Sequence, residues 1–143
     1  MKKKKSKVAL KGFFRVNLLD YKDGKEKIVG DSGWVENQVT NDGIGEYLVN
    51  WLVGDTANAK SVKNITLGTG TAPASNATSL AGELVQVTSR MSVATSVVAS
   101  RTAQFTAAFA SNSFNTTTVT INNIGLFNVS TTGSGTIFAG NTF

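Results

Sequence analysis

The sequence predicts a mainly β fold, a β-sandwich or jelly-roll-like barrel of about eight strands with one short α-helix at about residues 41–53. Three observations predict it. Apolar and polar residues alternate at period two in several separate stretches. Turn-forming residues sit between those stretches. Helical spacing of apolar residues occurs once, after Thr40.

In chain order, "GFFRVNLL" sets Phe14, Val16 and Leu18 against Phe13, Arg15 and Asn17, which is a strand. "DYKDGKEK" follows, and Asp23-Gly24 supplies the positive φ angles of a tight hairpin turn. "KIVG" is the returning strand and "GWVENQV" a third. In "TNDGIGEYLVNWLVG", Ile44, Tyr47, Leu48, Trp51 and Leu52 form one apolar stripe, with Thr40 or Asn41 as N-cap and Gly54 as terminator. Burying that stripe makes Trp51→Ala one of the most damaging changes expected. "KNITLGTG", "VQVTSRMSV", "RTAQFTAAF", "TTVTINNIGLF" and "TIFAGNTF" read as further strands. Apolar parity shifts between Ile121 and Ile124, which places a bulge or change of sheet at Asn122-Asn123. "NVSTTGSG" is a turn-rich connector. The expected structural core is Trp34, Ile44, Tyr47, Leu48, Trp51, Leu52, Phe105, Phe109, Leu126 and Phe127. Residues 1–11 are expected to be a flexible basic arm, and residues 12–143 a single domain.

Composition narrows the chemistry. Without cysteine there are no disulfides or thiolate nucleophiles; without histidine there is no Ser-His-Asp triad. No catalytic, cofactor-binding or metal-binding residues are assigned, and the expectation is a non-enzyme without cofactors. The net charge of +5 is unevenly placed. Six lysines and no acid lie in residues 1–11, all nine acids lie in residues 12–83, and after Leu84 only Arg90 and Arg101 are charged. No apolar run reaches the length of a membrane span, and Lys11 and Arg15 interrupt any signal-like start, so a soluble protein is expected.

The nearly uncharged second half poses a physical problem. Strand edges are normally blunted by charge, proline or bulges, and this half offers few of these. Covering by neighbouring subunits resolves it, so a homo-oligomer, with a trimer favoured, is expected over a monomer. Lys2, Lys3, Lys4, Lys5, Lys7, Arg90 and Arg101 are the expected contacts to an acidic partner surface; a simply solvated tail is an equal reading of the lysine run, and nucleic acid is less favoured because the run lacks interleaved aromatics.

Other motifs have plainer readings. Asp20, Asp23 and Glu26 lack the spacing of a calcium loop. Gly68 and Gly70 follow a strand but precede no helix, unlike a phosphate loop. Asn64, Asn76, Asn115 and Asn128 each start an Asn-X-Ser/Thr triplet, as chance allows in so Asn- and Thr-rich a chain. "LGTGTAPASNATSLAGEL", with Pro73 and Glu83, is read as a connector that returns Thr78, Leu80 and Leu84 to the core.

Three segments, "WVENQVTNDGIGEYL", "ITLGTGTAPASNATSLAGEL" and "NNIGLFNVSTTGSGTIFAGNTF", together resemble a layout of small β-rich virion proteins of tailed double-stranded DNA bacteriophages. The resemblance runs from about Trp34 to Phe143 and leaves out the lysine-rich start. It implies a non-enzymatic building block, β-rich and oligomeric, located in the virion. The first expectation is a capsid decoration or cement protein that binds the major capsid protein or another virion protein; the alternative is a tail, neck or fibre-adaptor component, and a nucleic-acid-binding role comes third.

Overall fold

The computed structural model describes residues 10–85, 89–99, 102–114 and 119–143. Its strands are β1 (Phe13–Phe14), β2 (Asn17–Lys22), β3 (Lys25–Asp31), β4 (Val35–Glu36), β5 (Gln38–Val39), β6 (Asn64–Gly68), β7 (Met91–Ser92), β8 (Ala94–Ala99), β9 (Thr102–Thr106), β10 (Asn123–Phe127) and β11 (Ile137–Thr142). Five of them form the central antiparallel sheet in the order β5-β11-β10-β6-β7. Three two-stranded ribbons, β1-β4, β2-β3 and β8-β9, complete a mainly β, sandwich-like fold with one short helical segment; the described strands do not close into a barrel.

Register explains which faces are buried. Leu126 lies opposite Ile65 and Ile124 opposite Leu67, so four apolar side chains share one face of β10 and β6. Phe14, Val16, Leu84, Val93, Phe105, Phe109, Phe114 and Ile121 pack against that face. On the other face Phe127 and Ile137 are fully buried beside Leu80. Leu80 belongs to the long connector after β6, so the connector itself roofs this second, smaller core.

The connector is tied down along its length. Its neck zips by bonds from the Thr69 amide to the Gly82 carbonyl (3.0 Å), Gly70 to Ala81 (3.1 Å) and Leu84 to Leu67 (2.9 Å). Asn123 Nδ2 donates to the carbonyls of Thr71 and Ala81, and Asn122 Nδ2 to that of Thr69. Such a compact excursion with closed ends is an Ω-like loop. Pro73 and Leu80 are buried and Leu84 half-buried as its sequence suggests, but Thr78 is exposed.

Several predicted turns are present as read. Asp23 and Gly24 have φ of 55° and 71°, the left-handed pair of a tight hairpin. The connector between β10 and β11 turns through Gly133 and Gly135, both at positive φ. The parity shift near Asn122 has a different cause from a bulge at that point. β10 begins at Asn123, so Ile121 precedes the strand and reaches the core from outside the ladder. The register irregularity of β10 with β11 falls instead between Leu126 and Phe127.

The helical segment departs most from expectation. It starts as predicted: the Thr40 hydroxyl accepts the Gly43 amide (2.9 Å) and donates to the Ile137 carbonyl (2.6 Å). After an α start at Asn41 and Asp42 it runs as a π-helix over Gly43–Val49 and returns to α at Asn50–Leu52, before Gly54 ends it at φ 77°. Bonding of the i→i+5 type breaks the stripe that α spacing would align. Of the five stripe residues only Tyr47 is buried, against Phe138 and with its hydroxyl donating to the Thr136 carbonyl. Ile44, Leu48, Trp51 and Leu52 are exposed, and so is Trp34, so these five are not core residues of the chain. Phe127 is fully buried, while Phe105, Phe109 and Leu126 are half-buried against the main core. Trp51→Ala is accordingly expected to cost about 1–2 kcal/mol, less than a core tryptophan would, because the ring is 55% exposed and what it loses is the covered half and the bond from its Nε1 to the Lys60 carbonyl. Urea unfolding of the dissociated chain measures this.

The helix is seated by a close backbone approach at Gly43. A Cβ there would overlap the carbonyl oxygen of Phe138 in β11. A paired strand cannot yield as a flexible side chain can, so Gly43→Ala is expected to cost about 1–3 kcal/mol, as overpacking does. A lower urea midpoint at unchanged slope would register it.

Candidate interaction surface

Arg90 is the first candidate to place, and it lies inside the molecule, only 1% exposed. Its Nε and Nη2 form a fork on Glu83 at 2.5 and 2.8 Å, and Glu83 is itself nearly buried. Nη1 donates to the carbonyls of Ser134 (2.6 Å) and Val129 (3.3 Å). The guanidinium carbon stands 3.6 Å from the centre of the Phe127 ring. Glu83 Oε2 also accepts the Gly133 amide. One cation thus joins the end of the connector, the loop before β11 and the second core. Arg90 is therefore not the surface contact for a partner expected from the sequence: four of its five N–H donors are bonded within the chain and its side chain presents nothing to solvent. Lys2, Lys3, Lys4, Lys5, Lys7 and Arg101 lie outside the described residues.

Asparagines from the four triplets also have local work. Asn64 is buried and donates to the Arg90 carbonyl, and Asn128 Oδ1 accepts the Thr136 amide at 2.7 Å. Asn76 is exposed on the connector, and Asn115 lies outside the described residues. Among the described residues no three His, Cys, Asp or Glu side chains gather in a metal-like group. Gly68 and Gly70 serve the connector's neck, where added side chains would meet Asn123 and Ala81. Asp20 pairs across the β2-β3 ribbon with Lys27, Tyr21 with Glu26, and Asp23 forms the turn, so the acids of "DYKDGKEK" are spread over the ribbon rather than convergent.

What the surface does present is apolar. Every residue of β2 is exposed, and all of β3 but Gly30. Leu19 faces Ile28 across this ribbon, on the face that also carries Tyr21 and, opposite it, Glu26, while Asp20, Lys22, Lys25 and Lys27 occupy the other. Tyr21 is 75% exposed. Isolated two-stranded ribbons are marginal in water, and one with an uncovered apolar face more so. The β8-β9 ribbon repeats the pattern without charge. All six residues of β8 are exposed, Val97 to 79%, and only Phe105 of β9 anchors the ribbon to the core. The outer side of the helix adds Ile44, Leu48, Trp51 and Leu52. Scattered surface leucines are ordinary; apolar clusters on two ribbons and a helix are the unusual feature of this surface.

The central sheet itself manages its edges. Its edge strands, β5 and β7, have two residues each, and short edges resist adventitious pairing. Among the described strands of the second half, β10 and β11 are interior and paired on both sides, β7 is a two-residue edge, and β8-β9 is a separate uncharged ribbon.

At the base of the β2-β3 arm, Arg15 grips Asp31 with Nε at 2.9 Å and Nη2 at 2.5 Å, and Asp31 also accepts the Gly33 amide. The Arg15 hydrogen bond, then the Gly33 amide, lower the Asp31 carboxyl from 3.8 to about 2. A carboxyl depressed on folding stabilises the fold above its unfolded value and loses that contribution as pH falls through the folded one. The base of the arm is therefore expected to hold down to about pH 4 and loosen towards pH 2. Hydrogen exchange at Gly33 followed against pH checks this.

Comparison with protein-family models, with curated proteins and with solved structures finds no match for this chain.

Proposed function

We propose that this chain is a non-enzymatic structural subunit that acts by assembling with copies of itself and with a larger scaffold. The observation that carries the reading is the pair of exposed ribbons, β2-β3 and β8-β9, whose apolar residues have no cover within the described chain. Together with the helix's outer side they resemble halves of interfaces rather than surfaces made for water. The polar groups of the interior meanwhile serve the fold, Arg90 and Glu83 above all.

The setting proposed is the virion of a tailed double-stranded DNA bacteriophage, with this chain as a capsid decoration or cement protein, most simply trimeric. That placement rests on the resemblance of Trp34 to Phe143 to such proteins. The mechanism is added interface: each copy bridges neighbouring capsid subunits, and many weak seams resist internal pressure. Lys2 to Lys5 and Lys7 supply a cationic contact to an acidic shell, and electrostatic attraction of this kind fades with salt. The alternative is a tail, neck or fibre-adaptor component, since the same segments suit those positions; binding of nucleic acid through the lysine run ranks below both.

Densitometry of purified virions separates the placements: hundreds of copies fit a shell protein, tens or fewer a tail or neck part. Capsids lacking the protein are expected to break at lower temperature. Equal robustness with and without it would remove the cement role. The assembly reading has its own test. Leu52→Glu, at a position already 75% exposed, is expected to leave the monomer folded and to weaken association at least tenfold by sedimentation. Unchanged association would take the helix face out of the interface.

A further inference from the structure

We infer that the tip of the β2-β3 arm is a contact for an acidic protein surface: Lys22 and Lys25, side by side on one face, receive a pair of carboxylates from the scaffold that the chain joins. The inference rests on the assembly reading and names the described surface and the chemistry of its partner.

The described cations divide into two sets. Lys11 pairs with Glu36, Arg15 with Asp31, Lys60 with Glu46 and Arg90 with Glu83. Lys22, Lys25, Lys27 and Lys63 form no ion pair with another described residue, and the first three share one face of the arm. Lys27 stands opposite an acid, Asp20, whereas Lys22 stands opposite Lys25. Directly opposed residues of a ribbon hold their Cβ atoms about 4.5–5.5 Å apart, and like charges so placed weaken the pairing. Both lysines are exposed, and they flank the turn at Asp23 and Gly24 where the ribbon ends. A two-stranded ribbon is marginal already, so the fold gains nothing from this juxtaposition. Local conflicts of that kind mark functional positions.

Two ammonium groups at that spacing suit two anionic oxygens, and the surroundings select their source. Asp20 stands in the same row and Asp23 in the turn. A DNA duplex carries a phosphate charge about every 1.7 Å of its axis and would set phosphates against both acids. Carboxylates on a folded protein are discrete and can meet Lys22 and Lys25 alone. The arm's other face fits the same partner, because Leu19 and Ile28 offer aliphatic surface that a protein can cover and that gives bases no ring to stack on. A second copy of the chain is the poorer partner for this tip, since each copy carries a net charge of +5.

The probe is an end-blocked peptide, Gly-Glu-Thr-Glu-Gly, titrated into the isotope-labelled full chain and followed by amide chemical shifts. Duplex DNA at equal charge concentration is the comparison. Shifts are expected to concentrate from Lys22 to Lys25, to weaken with added salt, and to require at least tenfold more peptide in the Lys22→Gln, Lys25→Gln double variant. That variant is also expected to fold and to protect the arm's amides from exchange better than the parent does, because the opposed charges are gone. Shifts absent from the arm, or unchanged in the double variant, would overturn the contact. DNA that moves the arm's amides at lower charge concentration than the peptide would assign the lysines to phosphate and overturn the protein partner. A double variant that aggregates, beside a parent that ignores the peptide, would make the lysines guards of an open ribbon edge and overturn it too. Sedimentation of the parent reads the assembly proposal separately. An oligomer whose arm ignores the peptide loses only this contact, and a monomer whose arm binds it loses only self-assembly.

Discussion

Replacing Arg90 with alanine is expected to cost about 3–5 kcal/mol, because it strands the nearly buried Glu83 carboxylate without its cation. For a 15.0 kDa chain with a total stability of about 5–15 kcal/mol, that is a large fraction of the whole, and at the low end of the range it brings the folded and unfolded states close to balance at 25 °C. The loss has several parts. Two charge-assisted bonds to Glu83 disappear, the Ser134 and Val129 carbonyls lose a donor, and a cavity opens over Phe127. The pair can be separated from its packing. Arg90→Met combined with Glu83→Leu removes both charges and keeps volume, and buried pairs replaced in this way often lose little. The double variant is therefore expected to be more stable than Arg90→Ala, and even than Arg90→Met alone. Urea unfolding of the three variants at one ionic strength decides it. A double variant as unstable as Arg90→Ala would mean that the loop carbonyls, rather than the carboxylate, depend on the guanidinium.

Phe127→Ala is the second large effect, at about 3–5 kcal/mol, the range for a fully buried phenylalanine. Phe127 touches both halves of the second core: Leu80 from the connector and Ile137 from β11, with the guanidinium on its face. Its removal loosens the connector and the Arg90 site together, so losses from Phe127→Ala and Arg90→Ala are expected to be less than additive. Phe127→Leu keeps most of the apolar volume and drops the ring. Its smaller cost, about 1–2 kcal/mol, would include the cation–π contact. If Phe127→Leu costs as much as Phe127→Ala, shape rather than area governs the site.

Much of this architecture is legible in the chain because it depends on local chemistry. Asp23-Gly24 can hardly be other than a tight turn, and "NITLG" and "IFAGNT" become paired strands. Leu80 and Leu84 are apolar islands in a polar loop, and both return to the interior. Thr40 caps the helix through its hydroxyl. What escapes notice depends on closure in space. An isolated arginine reads as a surface residue; only when the connector's neck zips does Glu83 arrive beside Arg90. The π form of the helix is invisible to spacing arguments, since the same residues suit an α stripe. Alternation in "GFFRVNLL" correctly indicates extended backbone, yet it cannot tell a strand covered by its own core from an arm that leaves the body. Phe14 and Val16 take the first course, Leu18 and Leu19 the second.

The proposed interaction surface is legible only in outline. Lack of charge after Leu84 points to edges needing cover, but the neutral segments "NIGLF" and "IFAGNT" solve that need within one sheet, and "ATSVVA" does not. The exposed apolar residues of the β2-β3 arm give no warning in composition, because charged residues are interspersed with them along both strands.

Sedimentation equilibrium of the full chain over a wide concentration range tests the assembly proposal most directly. A mass at a fixed multiple of 15.0 kDa, dissociating only on dilution, is the expected result. A single 15.0 kDa species at the highest concentrations, with the amides of β2-β3 and β8-β9 exchanging freely, would contradict it.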